Sequence, residues 1–289
     1  MNYSIRRGLL NHFKCRNVDY PSKNGKVARF QVPDDKVPWN IIWPEYAPPY
    51  YTSPHIMGQT WADSEIDDPG FHPVWNVVDG STNRCSYHGS YTVFNNFPQN
   101  PVGRTGLAGR GILGKWGPNH AADPILTKWK RDENQSVIYH ELSKKPILQF
   151  VGIRRRDCGE WALPGGMVDT GETITQTLKR EFMEEALNYL EMETEAKKQI
   201  SAQLNYFFTT GVDIYKGYVD DIRNTDNAWI ETVAQNFHDE SGSLMDHLKL
   251  RSGDDAVDVM WIDISSNLDL YASHTYLIKL VVTNHNAHW

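Results

Sequence analysis

From Ile147 onward, apolar and polar positions fall into regular patterns; ahead of about residue 117 they do not. Ile147-Leu-Gln-Phe-Val-Gly-Ile153 is a short apolar run that predicts a buried strand. Trp161-Ala-Leu-Pro-Gly-Gly166 predicts a strand and then a turn. Residues 172–188 predict a helix, because Ile174, Leu178, Phe182 and Ala186 recur every fourth position. A second helical stretch follows over 191–208, then strands over 212–219 and 228–234. Val257-Asp-Val-Met-Trp-Ile-Asp263 alternates as a half-buried strand does, and 276–283 predict a closing helix. Strands interleaved with helices place this part in the α/β or α+β class.

Residues 20 to about 117 are rich in Pro, Gly, Trp and Tyr and show no helix-length period. Tyr46-Ala-Pro-Pro-Tyr-Tyr51 and Asn95-Asn-Phe-Pro-Gln-Asn-Pro101 predict turns and irregular segments between short strands. The 289 residues exceed the usual size of one domain. Three parts are therefore expected: a tail over 1–19, a smaller N-terminal cap domain over 20–117 and a larger domain over 118–289.

Composition narrows the classes. Hydrophobic residues make up 40% and charged residues 22%, a globular balance. No apolar run reaches the eighteen or so residues a membrane helix needs, so direct insertion is not expected. The net charge of −7 speaks against nucleic acid as a partner. An acidic protein that handles an anionic nucleotide must also recruit cations locally. Cys15, Cys85 and Cys158 are widely spaced and odd in number, which predicts reduced thiols without zinc spacing. The first residues carry Arg6, Arg7, Lys14 and Arg16 and no acid before Asp19. That start reads as a mitochondrial presequence or as a short linker, and its brevity and fragmentary apolar face favour the linker.

The candidate chemistry is concentrated in Gly165-Gly-Met-Val-Asp-Thr-Gly-Glu172 and Lys179-Arg-Glu-Phe-Met-Glu-Glu185. On a helix, Glu181, Glu184 and Glu185 fall within an arc of roughly 100°. Adjacent acids repel, and a solvated face would intersperse lysines. Their clustering suits a hard divalent cation, with Mg²⁺ preferring carboxylate oxygen and water. Gly165 and Gly166 allow the backbone to approach a metal or phosphate closely. Glu172 sits near the helix start, where negative charge is favoured, and Arg180 can pair with a glutamate and hold it.

Gly166, Glu172, Arg180, Glu181, Phe182, Glu184 and Glu185 stand at the offsets of the Nudix box, which this segment resembles. Leu187 and Asn188 depart from its last two positions, where the pattern has Gly and an apolar residue. The ending Glu-Glu-Ala-Leu-Asn is similar to the mitochondrial ADP-ribose pyrophosphatase subfamily. So are Gly103-Arg-Thr-Gly-Leu-Ala-Gly-Arg-Gly111, Trp116-Gly-Pro-Asn-His-Ala-Ala-Asp-Pro124, Tyr215 through Trp229 and Leu270-Tyr-Ala-Ser-His274. The same segments resemble the C-terminal domain of melastatin-type TRP channels, as do Asp34-Asp-Lys-Val-Pro-Trp39 and Asn76-Val-Val-Asp-Gly80.

The resemblance implies a Nudix fold, a mixed sheet between helices, and Mg²⁺-dependent cleavage of ADP-ribose to AMP and ribose 5-phosphate. Mn²⁺ is expected to substitute. Gly166, Glu181, Glu184 and Glu185 are the implied metal ligands; Glu172 and Arg180 complete the catalytic set. Asp254 and Asp255, in a Ser-Gly-Asp-Asp-Ala turn, are either turn formers or a further carboxylate orienting water. Asp221, Arg223, Leu270, Tyr271 and His274 are implied to contact the nucleotide; the alternatives are a salt-bridged loop for the first two and core positions for the others. Gly106-Leu-Ala-Gly-Arg-Gly111 reads as a turn at the domain junction, with Arg104 and Arg110 facing either phosphate or structural partners. The competing function is an ADP-ribose sensor in a channel, but a pure sensor need not keep the acid cluster. Two locations follow: the cytoplasmic face of a membrane for a covalently continued channel subunit, or the mitochondrial matrix.

Overall fold

The computed structural model describes residues 12–289 apart from 17, 24, 189–191, 248–249 and 254–255. The chain folds as two compact units. The first collects the described part of Met1–His120 together with Asp169–Gly171 and Gly217–Thr232. The second collects Ala121–Val168, Glu172–Lys216 and Val233–Trp289.

The first unit has little regular structure, as its Pro- and Gly-rich sequence predicts. After the one-turn helix α1 (Phe13–Arg16) come three short antiparallel pairs: β1 (Tyr20–Ser22) with β2 (Gly25–Val27), β4 (Val78–Asp79) with β5 (Thr82–Asn83), and β6 (Val93–Phe94) with β7 (Phe97–Pro98). β3 (Tyr50–Thr52) pairs in parallel with β8 (Ala108–Gly111). This corrects the expected turn over 106–111. Its glycines serve close packing, since a Cβ on Gly109 would meet the Tyr51 carbonyl oxygen at 2.5 Å and one on Gly111 the Tyr20 hydroxyl at 1.9 Å.

The second unit is built on a seven-stranded sheet in the order β11-β10-β9-β14-β13, with β12 added beside β9 and β15 beside β10. These strands are β9 (Gly117–Trp129), β10 (Leu148–Arg155), β11 (Trp161–Ala162), β12 (Gly166–Met167), β13 (Val212–Tyr218), β14 (Ala228–Asp239) and β15 (Ala256–Asp263). The helices are α2 (Ile174–Leu187), α3 (Thr194–Phe207), α4 (Ser243–His247) and α5 (His274–Asn284). Successive strand residues face opposite sides, and the core divides accordingly. Leu126, Val151 and Phe237 pack with Leu178, Phe182 and Leu204 of α2 and α3. Their neighbours Ile125, Phe150 and Ala234 pack with Leu277, Ile278 and Val281 of α5. The sheet thus lies between helices, the α/β arrangement expected.

The sequence pattern did not reveal β9. Pro118 and Pro124 argue against a central strand, because proline cannot donate to a ladder. Pro124 falls between the residues of β9 that pair with β12 (Ala121, Ala122) and those that pair with β10 (Thr127 to Trp129). Among the described residues no helix is long and apolar enough to cross a membrane.

Candidate active site

Helix α2 carries the acid cluster, and its ends are set locally. Thr173 caps the N-terminus by accepting from the Gln176 amide, while the Gln176 side chain accepts from the Thr173 amide. Leu178, Phe182 and Ala186 are buried against the sheet. At the other end Asn188 adopts a left-handed conformation (φ 50°) and its amide donates to the Met183 carbonyl. Asparagine tolerates that conformation, so the departure at 187–188 leaves the helix properly terminated, with Leu187 used as core.

With the apolar stripe anchored, the opposite side of α2 meets the turn Leu163–Gly166. Arg180 uses all five of its N–H donors there. Nε and Nη2 grip Glu172 at 2.9 and 3.0 Å, Nη1 reaches Glu181 at 2.7 Å and Glu184 at 3.2 Å, and Nη2 also donates to the Met167 carbonyl at 3.1 Å. The Thr177 hydroxyl donates to Glu172 at 2.8 Å. Glu185 turns the other way and accepts from the Gly165 amide at 2.9 Å. Arg180 therefore orders three glutamates rather than the single one the sequence suggested.

The two glycines let carboxylates come close to the turn. A Cβ on Gly166 would lie 2.4 Å from Glu181 Oε1, and one on Gly165 would lie 2.2 Å from Asp123 Oδ1. Glu181 and Glu185 are 8% and 7% exposed, so their charges are held largely out of water. Burial pushes the Glu181 carboxyl up to about 7, opposed by Arg180 and reinforced by Glu184 and Asp123. The Arg180 guanidinium is raised by the carboxylates around it, Glu172 first. Among the described residues no three His, Cys, Asp or Glu side chains stand ready-made around a metal position. The guanidinium draws Glu172, Glu181 and Glu184, and Glu185 faces the turn.

Asp123, on β9 and 8% exposed, was absent from the sequence-based set. Its signal was an acid inside the apolar stretch Ala121-Ala-Asp-Pro-Ile-Leu126, which reads as ordinary until the strand is recognised. Asp254 and Asp255 lie outside the described residues. Just before them, a Cβ on Gly253 would meet the Glu184 carbonyl at 2.3 Å, so the Gly253 backbone passes hard against the end of α2.

The other singled-out residues distribute as follows. His274 Nδ1 accepts from the Leu163 amide at 2.9 Å, and the Tyr271 amide donates to the Trp161 carbonyl at 2.8 Å. Both therefore brace the strand and turn that carry Gly165 and Gly166. The Arg155 guanidinium lies 4.4 Å from the Tyr271 ring centre. Leu270 is a core residue, 4% exposed. Asp221 and Arg223 belong to the first unit. There they pair bidentately at 2.8 Å, and the Tyr20 hydroxyl donates to the Arg223 carbonyl. Arg104 donates to the carbonyls of Lys36, Pro38 and Ile41, and Arg110 to Gly114 and Glu65. Both are buried and hold structural partners, as the second of their two readings has it.

Two family descriptions match the chain: an NUDT9-like N-terminal domain over residues 32–117 and a NUDIX domain over residues 142–278. The chain is 55% identical over 280 residues to the mitochondrial ADP-ribose pyrophosphatase of Rattus norvegicus, covering 96% of this chain and 79% of that protein. It is 46% identical to putative nudix hydrolase 6 of Caenorhabditis elegans, covering 95% and 98%. It is 45% identical to the transient receptor potential cation channel subfamily M member-like 2 of Nematostella vectensis, covering 96% of this chain but 18% of the channel.

Proposed function

The chain belongs to the Nudix family, with the NUDT9-like N-terminal domain, and on that premise we propose that it hydrolyses the pyrophosphate of ADP-ribose to AMP and ribose 5-phosphate with the help of Mg²⁺. One observation carries this reading. A single guanidinium orders three glutamates of the α2 region beside a glycine turn whose missing Cβ leaves room for a buried carboxylate. Acids outnumber the cation there, and the surplus negative charge is what a divalent ion neutralises.

The residues present fit such an ion. The donors are carboxylate and carbonyl oxygens, the preference of a hard divalent cation, and a Cβ on Gly166 would fill the space beside Glu181. Glu181 and Glu185 would hold it, with Glu184 and the Gly166 carbonyl as further ligands; Mn²⁺ offers the same charge. When bound, a divalent cation neutralises the diphosphate and acidifies water at the site.

The protein's own contribution is order. Glu172, itself fixed by Thr177, anchors Arg180. Arg180 in turn fixes the positions of Glu181 and Glu184. A carboxylate of α2, of Asp123, or of Asp254 and Asp255 takes the proton of the attacking water. Water adds to one phosphorus, the bridging P–O bond breaks, and the leaving phosphate departs as a monoester. Tyr271, held by the Trp161 backbone, offers a ring for the nucleoside.

The test is direct: incubate the protein with ADP-ribose and Mg²⁺ and separate the products by chromatography. AMP and ribose 5-phosphate are expected in equal amounts. Binding of ADP-ribose with no product would replace hydrolysis by sensing, a second reading favoured by the match to a segment of a channel. In that case the chain would continue a channel subunit at the cytoplasmic face of a membrane; the enzyme reading would put it in the mitochondrial matrix, a reading supported by its likeness to a pyrophosphatase named as mitochondrial.

A further inference from the structure

Within the first unit lies a cleft of about 540 Å³ that shares no residue with the carboxylate site. The volume is in the range of small-molecule sites, roughly 300–1,000 Å³. Apolar walls come from Pro21, Ile56, Ile112 and Trp61. Trp61 is 50% exposed, a large indole left half in water. It is nevertheless seated: a Cβ built on Gly114 would lie 2.8 Å from Trp61 Cε3 and Cζ3, so the missing side chain at 114 lets the ring come down on the backbone there. A ring that is exposed and yet anchored is a stacking platform whose ordering cost is met before any ligand arrives.

Charge specifies the rest of the ligand. The chain carries a net −7, yet among the described residues lining this cleft the ionisable groups are Lys23 and His55, both basic, and none is an acid. Ser53, 1% exposed, accepts from the His55 amide through Oγ, which leaves its hydroxyl proton to donate. The side-chain amide of Gln59 adds a donor and an acceptor. A flat ring for Trp61, hydroxyls for Ser53 and Gln59, and an anion for Lys23 together describe one chemical class. We propose that this cleft binds a nucleoside monophosphate, with the base stacked on Trp61 and the phosphate against Lys23.

The test follows the indole N–H of Trp61 by ¹⁵N NMR, assigned as the signal lost in W61F, with AMP added in EDTA. A saturable shift is expected, with adenosine bound about tenfold more weakly and inorganic phosphate alone without effect. K23A is expected to weaken AMP by the same factor and leave adenosine unchanged. W61A, compared at matched thermal stability by a filter-binding assay with labelled AMP, should lose on the order of tenfold from base stacking. If W61A does not fold, K23A at the exposed rim keeps the test. The proposal is overturned if millimolar AMP leaves the Trp61 signal unmoved, if adenosine binds as well as AMP, or if K23A changes neither. Because no metal or ADP-ribose is present, failure here leaves the reading of the carboxylate site standing.

Discussion

The two units use arginine in opposite ways. In the first, the terminal nitrogens of buried guanidiniums are matched by acceptors, although Nε of Arg104 and of Arg110 has none. Arg104 serves three carbonyls and lies 5.0 Å from the Trp39 ring and 5.2 Å from the Tyr46 ring. Arg84 binds Asp63 bidentately and reaches Asp79 at 2.9 Å. Arg29 donates to the carbonyls of Val18, Thr105, Ile222 and Asn224. A unit with few ladders leaves many backbone carbonyls needing donors, and arginine supplies several at once. In the second unit the sheet satisfies the backbone, and Arg180 is instead surrounded by more carboxylates than it can neutralise. Satisfied donors hold a fold together; surplus, sequestered negative charge is available for chemistry.

The largest effect should come from removing that imbalance. E181Q combined with E185Q is expected to lower AMP release by at least on the order of 10²-fold while the circular dichroism spectrum is kept. Retained turnover would end the assignment of these two glutamates. The counterpart in the first unit is R104A, which strands three carbonyls and should cost about 3 kcal/mol in denaturant unfolding. Turnover of the protein still folded should hardly change; a selective loss of kcat would break the contrast between the units.

A smaller change is expected from G166A. The added methyl must displace the Glu181 carboxylate, so kcat should fall roughly tenfold with little shift in melting temperature. An unchanged kcat would show that the missing Cβ is not what positions Glu181.

A separate effect concerns pH and the first unit. His12 is fully buried and its imidazole is pushed down to about 3, chiefly by burial, then by Arg16 and Arg29. The unfolded chain binds this proton below about pH 6.5, whereas the folded one resists it down to about 3. Stability from His12 is therefore intact above the unfolded value and falls as pH drops through that window. Melting temperatures from pH 8 to 4 should decline less steeply in H12Q. Equal slopes would remove His12 as the cause.

Much of the second unit was legible in the sequence because its elements have clean periods. The four-residue repeat from Ile174 to Ala186 placed α2 almost to its ends, and Val257 to Asp263 placed β15. β9 was not legible, since two prolines mask a strand that the neighbouring ladder tolerates. Asp123 was lost along with it. In the first unit, Gly106 to Gly111 looked like a turn because glycine signals both turning and close packing, and only the neighbours of Gly109 and Gly111 distinguish the two.

The chain by itself determined which helix carries the chemistry and which residue types gather on it, because side-chain spacing along a helix is a local property. It also determined the family, through a box of fixed offsets. Tertiary structure alone decided that Arg180 orders three glutamates, that Glu185 faces Gly165, and that Asp123 arrives from a distant strand. Those facts depend on long-range packing of sheet against helix, and no local pattern encodes which side chains such packing will bring together.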